Sequence, residues 1–332
     1  MTTVLDVSTR LVEERALGLH WADRTFGTLP DGHFSVVGIN DHEYSLAPYP
    51  ELGAMMYRGQ AHFVEPCLPS LYRSAREPGD HLLAAVRVAE FSLVLADHPA
   101  VRDFSTWEIL GLKPRIDYEA LAQHYGLATG LLDFTSDPMV AAFFACTTYD
   151  YEKARYQPTD SSTQEGVMYA CLSALATIEE PPSAAIVGLQ PLPRPGEQYA
   201  WCYRVPAGLS LNTMPHVRVL RFQHDRRASH YIYDHFDGGE KLFPVDAAAA
   251  KADAIQQATH LSRPAFEIAR EAFGGSGESY ALLAALKAKG IEIDEDGVGG
   301  FADAELHEIE SEWLARRDGL LSRIHYRRVL YV

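Results

Sequence analysis

The segment Pro138–Cys146, PMVAAFFAC, constrains the fold more than any other part of the chain. It is apolar nearly all round, so a helix formed from it must be covered on almost every side. Asp137 supplies the N-cap, and Pro138 suits the first helical position, where its missing N–H would have had no partner. Just before it, Leu131–Thr135 (LLDFT) is short, apolar and bounded. That pattern predicts a strand with Leu131, Asp133 and Thr135 on one face and Leu132 and Phe134 on the other. Asp133 therefore falls in or beside the core, where an unpaired carboxylate costs several kcal/mol and needs a partner. The arginine that follows a comparable apolar run is Arg58, in MMYRG. Its planar fork suits a carboxylate or a phosphate, and Gly59 beside it permits close backbone approach. Two readings stay open: a buried ion pair of Arg58 with Asp133 that pins two strands, or a ligand site.

Elsewhere the pattern is mixed. Helical periodicity or propensity predicts helices over Ser8–Leu19, His81–Ala96, Val245–Leu261 and Tyr280–Gly290, and a last one through HEIESEWLARR. Asp117 reads as the N-cap of a short helix that stops at Gly126. Strands are expected from Met55, over Gly166–Leu172 and over Val217–Phe222. Polar Glu152–Gln164 and Ile291–Gly297 read as loops, proline-rich Glu179–Gly196 as mostly irregular, and the charged run from His224 to His235 as a solvated loop without metal spacing. Helices and strands that do not alternate as βαβα units predict an α+β fold with mixed or antiparallel sheets and flanking helices. At 332 residues and 47% hydrophobic content, the chain can bury one large core or two ordinary ones.

Charge excludes some functions. Forty-five acids against twenty-nine Lys plus Arg leave a net charge of −16, which disfavours DNA or RNA as a partner. The four cysteines are widely spaced with no CxxC, and Cys146 and Cys171 sit in apolar runs; reduced thiols and a cytoplasmic location are expected. No membrane span, signal segment, GxGxxG, Walker A, GxSxG or HExxH pattern occurs, and no metal site is expected.

YRGQ (Tyr57–Gln60), PSLYR (Pro69–Arg73) and QHYGLATGLLDFT followed by SDPMVAAFFA resemble the FRG domain family, named for its aromatic-Arg-Gly motif. The resemblance is specific over Tyr57–Arg73 and Leu121–Ala145 and looser downstream. It implies an N-terminal extension (1–53), an FRG domain (54–316) and a C-terminal tail (317–332). Three positions depart from the family pattern: Ala128 stands for proline, Gly130 for arginine and Phe134 for tryptophan.

The order of motifs is also similar to that of mono-ADP-ribosyltransferases of the Arg-Ser-Glu type. That similarity implies an ADP-ribosyltransferase-like core and NAD as the cofactor. Arg58, with Tyr57 and Gly59, would hold a phosphate or ribose, and Thr135 and Ser136 would line the nicotinamide side. Tyr125 would stack on a ring, and Gln223 would stand where the catalytic glutamate is expected. A neutral glutamine lends no charge to a developing cation, so Asp133 would replace it if it faces the pocket. The implied activity is ADP-ribose transfer to a protein target or NAD hydrolysis, in a bacterial toxin or phage-defence setting. The alternative is a non-catalytic nucleotide-sensing or protein-interaction module. Gln60, Gln123 and His124 read as buried hydrogen-bonding struts or helix-end residues.

Overall fold

The computed structural model describes residues 2–26, 29–30, 32–49, 54–73, 77–160, 163–177, 182–206, 208–272 and 279–325. In chain order its strands begin with β1 (Phe34–Gly38), β2 (Glu43–Pro48), β3 (Met55–Gln60), β4 (Lys113–Pro114) and β5 (Leu131–Thr135). They continue with β6 (Thr147–Asp150), β7 (Arg155–Pro158), β8 (Gly166–Leu172), β9 (Ala184–Ile186), β10 (Ala200–Arg204) and β11 (Val217–Phe222). β12 (His260–Ser262), β13 (Glu292–Asp294) and β14 (Ile324–His325) complete the set. The main sheet has six strands in the order β11-β8-β3-β5-β10-β9, with antiparallel pairings throughout. A second sheet, β14-β1-β2-β4, joins segments near both ends of the chain. Helices flank a main sheet whose pairings are antiparallel rather than built from parallel βαβ crossovers, so the fold is α+β.

The first five helices are α1 (Val4–Phe26), α2 (Pro78–Ala96), α3 (Pro99–Thr106), α4 (Tyr118–His124) and α5 (Pro138–Cys146). α5 meets the demand its composition makes. Val140, Ala141, Ala142, Phe143, Ala145 and Cys146 are all buried, in one cluster with Val4, Val7 and Leu11 of α1, Tyr57 of β3 and Ile232. Its start is fixed as expected, with the Met139 N–H donating to Asp137 Oδ1 at 2.7 Å. α4 is likewise capped by Asp117, which accepts from the Ala120 N–H at 3.0 Å. α2 belongs to a separate helical core with Tyr125, Ile255, Phe266 and Leu286. Buried Glu90 of α2 accepts from the backbone N–H and hydroxyl of Ser262 and from the Val298 N–H, tying α2 to β12 and the turn after β13.

The structure corrects several expectations. His224–His235 is not a loop: Arg226–His235 is a helix capped by Asp225, because Ala228, Ser229 and Ile232 lie one helical turn apart and are buried. The polar Glu152–Gln164 segment contains strand β7, which pairs with β6 as a hairpin. Ile291–Gly297 contains β13, held parallel to β12. Helix Ala247–Gln257 stops short of Leu261 because His260–Ser262 is drawn into that pair. The proline-rich stretch holds β9 and a short helix, Pro193–Glu197, while residues 178–181 lie outside the described set. The four cysteines are free and buried, as the apolar neighbours of Cys146 and Cys171 implied for those two. Among the described residues, no helix is long and apolar enough to cross a membrane, and no cluster could hold a metal ion.

Burial creates one pH dependence. His98 precedes α3 and accepts the Ala100 N–H through Nδ1 at 3.2 Å. Its ring packs edge-on against Phe301, and desolvation pushes its pKa from 6.5 to about 4. The unfolded chain therefore binds a proton between pH 6.5 and about 4 that the folded chain does not, so stability falls as the solution is acidified through that window. The loss reaches about 3 kcal/mol at its lower end. His98→Asn, which keeps an acceptor for the cap but cannot titrate, is expected to flatten this part of a stability-versus-pH curve measured by urea unfolding.

Candidate functional site

The two halves of the main sheet meet at a single point. Six register pairs join β3 to β8, and five join β5 to β10, but between β3 and β5 only Tyr57 and Thr135 are paired. Gly59 shows what draws β3 aside. A Cβ built there would lie 1.8 Å from the Ala141 carbonyl oxygen and 2.6 Å from the Ala145 nitrogen, so the strand runs against the backbone of α5. With β3 held on α5, the two strands separate beyond Tyr57, and a cavity of about 460 Å³ opens in the gap. Arg58 and Gln60 line it from β3; Asp133, Phe134 and Thr135 line it from β5. Val140, Ala141 and Phe144 of α5, with Tyr156 of the hairpin, supply an apolar wall, and His62, Arg73 and Gln198 complete the polar lining.

Arg58 and Asp133 thus come together, but not through an ion pair, which was one of the two readings left open by the sequence. Arg58 Nη1 donates to the backbone carbonyl of Asp133 at 2.9 Å, supplying the donor that the parted strand does not. Its Nε is buried without a partner. The Asp133 carboxylate is held instead by the motif QHYGLAT. The Leu131 N–H donates to Thr129 Oγ1, so the Thr129 hydroxyl proton goes to Gln123 Oε1. That fixes the amide, and Gln123 Nε2 donates to Asp133 Oδ2 at 3.1 Å. His124 is set in the same way. Gln198 gives its NH₂ to the Leu242 carbonyl at 2.9 Å, so its Oε1 faces His124 Nδ1 at 3.1 Å and accepts from it. His124 Nε2 then points toward Asp133 Oδ1 at 3.9 Å, and neither atom has a hydrogen-bond partner. Buried polar atoms left open in this way are uncommon in a folded core, and here several surround one cavity.

The electrostatics favour an anion. Arg73 lies close enough to Arg58 for that charge to lower its pKa, after the larger effect of burial. Two guanidinium groups and His62 face one carboxylate within a strongly acidic protein. Burial pushes the Tyr57 and Tyr156 phenols well above their ordinary range, so both remain neutral donors. A larger cavity of about 780 Å³ lies beside β9 and β10, but its charges satisfy one another: Arg204 pairs with Glu119 at 2.5 Å and Arg115 with Asp117 at 3.7 Å.

Of the residues singled out from sequence, Tyr57, Arg58, Gly59, Asp133 and Thr135 line the β3–β5 cavity. The Thr135 hydroxyl accepts the Asp137 N–H at 3.0 Å. Ser136 is buried with its hydroxyl unpartnered and is not among the lining residues. Tyr125 is not at the cavity. It is buried in the helical core, where its hydroxyl donates to Asp246 at 2.6 Å and Arg194 lies 4.4 Å above its ring. Gln223 also lies elsewhere: it follows an outer strand, donates to Glu165 at 3.2 Å and is tied by its backbone to Thr2. Arg73, His62, Tyr156 and Gln198 were missed as site residues. Only Arg73 carried a signal, as the last residue of PSLYR. The other three reach the cavity through tertiary packing.

A split α+β sheet with an arginine-lined gap is the class of architecture these elements define. Residues 53–154, which hold β3, β5, α5 and Arg73, match the family model of the FRG domain, and the chain carries an FRG domain there. No curated protein and no solved structure matches the chain. Where the family has arginine, Gly130 leaves room for a different one: a Cβ would lie 3.0 Å from Arg204 Nη1 and 3.2 Å from the Tyr72 hydroxyl.

Proposed function

We propose that the gap between β3 and β5 binds NAD and cleaves its nicotinamide–ribose bond, passing ADP-ribose to water or to a protein acceptor. One observation carries this reading: Arg58, Arg73 and Asp133 share one cavity, and Asp133 is the only carboxylate among its described lining residues. Two guanidinium groups suit a pyrophosphate, which spreads its charge over several oxygens. A fixed carboxylate stabilises the positive charge that develops on the ribose as the bond breaks. The C–N electron pair leaves with nicotinamide, which becomes neutral. The acceptor oxygen or nitrogen bonds to the anomeric carbon and gives up a proton. Asp133 suits the cationic state because Gln123 donates to Oδ2 and fixes the carboxylate, while Oδ1 accepts no hydrogen bond. Such chemistry would serve an NAD-consuming toxin or phage-defence effector.

The test is release of nicotinamide from NAD. The wild-type protein is expected to release it, and Asp133→Asn to release it at least a hundredfold more slowly while retaining affinity for ADP-ribose, an effect of about 3 kcal/mol on the barrier. Equal rates would remove Asp133 from the reaction. A second reading, nucleotide sensing without cleavage, draws support from Gln223, whose bond to Glu165 keeps it from facing Arg58 across the gap. Binding of NAD with no release from the wild-type protein would establish that reading instead.

A further inference from the structure

We infer that the β6–β7 hairpin is the base-binding arm of this site, and that Tyr149 and Tyr151 stack on the heterocyclic base of the nucleotide whose phosphates lie between Arg58 and Arg73. The inference rests on the nucleotide reading above and extends it to residues outside the cavity.

The register of the hairpin places Tyr149 directly opposite Tyr156, so the two rings share a face. Tyr151 follows Tyr149 by two residues. The three rings form a continuous edge-to-face series: Tyr156 to Tyr149 at 5.1 Å and Tyr149 to Tyr151 at 5.1 Å between centroids. At its inner end Tyr156 lines the cavity and stacks on Phe243 at 4.9 Å. At its outer end the apolar surface is uncovered: Tyr149 is 42% exposed and Tyr151 89% exposed.

Folding alone gives no reason to leave two aromatic rings in water at a hairpin end, where each could contribute more by packing. The arrangement suits a ligand with an anionic part and a flat aromatic part. Phosphates would occupy the guanidinium pair while the base lies against the outer tyrosines. Stacking on an aromatic side chain tolerates any base, since every base presents a π face, so the arm selects for the presence of a base more than for its identity.

Calorimetric titration with two probes separates this inference from the reading beneath it. Inorganic pyrophosphate reports the arginines alone, and ADP reports arginines plus base. The wild-type protein is expected to bind ADP at least tenfold more tightly than pyrophosphate. Tyr151→Ala and Tyr149→Ala should reduce that ratio to about threefold or less, Tyr151→Phe should preserve it, and none should change pyrophosphate affinity. If both alanine variants keep the full ADP preference while Arg58→Ala loses both ligands, the cavity assignment stands and the base-binding arm is overturned. If neither probe binds the wild-type protein, the nucleotide reading fails and takes the inference with it. A Tyr151→Ala protein with unchanged ADP affinity but reduced transfer to a protein acceptor would also overturn the assignment, giving the tyrosines to the acceptor.

Discussion

Replacing Arg58 with alanine is expected to weaken binding of ADP-ribose by at least a hundredfold, with Arg58→Lys falling between alanine and the wild type. A hundredfold corresponds to about 2.7 kcal/mol, in the range of one or two charge-assisted hydrogen bonds to phosphate. Lysine keeps the charge but not the planar fork, and its single ammonium cannot hold a phosphate oxygen and the Asp133 carbonyl in the same geometry. The alanine variant also loses that carbonyl contact, which contributes roughly 1 kcal/mol to stability. A thermal melt run beside the calorimetric titration separates the two effects. Undiminished affinity in a folded Arg58→Ala protein would take the phosphate away from this residue.

The largest effect on stability is expected from Gly59→Ala. The added methyl would lie 1.8 Å from the Ala141 carbonyl oxygen and under 3 Å from two further backbone atoms of α5. A flexible side chain could swing aside, but these are backbone atoms of a helix buried on nearly all sides, between α1 and the sheet. Accommodating the methyl means moving β3 or α5 as a unit, at a cost above about 4 kcal/mol, a large fraction of the 5–15 kcal/mol by which domains are usually stable. Soluble yield and the melting temperature should both collapse. A Gly59→Ala protein melting within a few degrees of wild type would show that the strand does not need this approach.

Much of the framework was legible from local chemistry. The strand over Leu131–Thr135, the Asp137 cap and the covered helix each followed from a few residues whose periods and caps agree. The pairing of Arg58 with position 133 was also readable, because an apolar run that ends in arginine and an apolar run that contains aspartate must both resolve a buried charge. The atoms involved were not. Whether a guanidinium meets a carboxylate or a carbonyl depends on where two strands part, and that is set by the contact between Gly59 and α5, 82 residues apart in sequence for Ala141.

The misplaced residues have similar causes. Tyr125 carried the right chemistry for stacking, but a positive-φ glycine follows it, and the chain turns its ring into the helical core. Gln223 occupied the expected place in the order of elements, yet β11 is the outermost strand on its side, two strands removed from β5 across β8 and β3. The β6–β7 hairpin escaped notice because Glu152–Gln164 is polar enough to read as a loop; its pairing rests on Tyr149 and Tyr156, one on each side of the turn.

The single pairing of Tyr57 with Thr135 means that the six strands form two three-stranded leaves joined by one backbone stitch and by the Arg58 contact with the Asp133 carbonyl. Arg58 belongs to one leaf and Asp133 to the other, so a molecule seated between them also fastens the leaves together. Occupancy and resistance to unfolding are then two measures of the same equilibrium, each tenfold rise of ligand above its dissociation constant adding about 1.4 kcal/mol to the closed sheet.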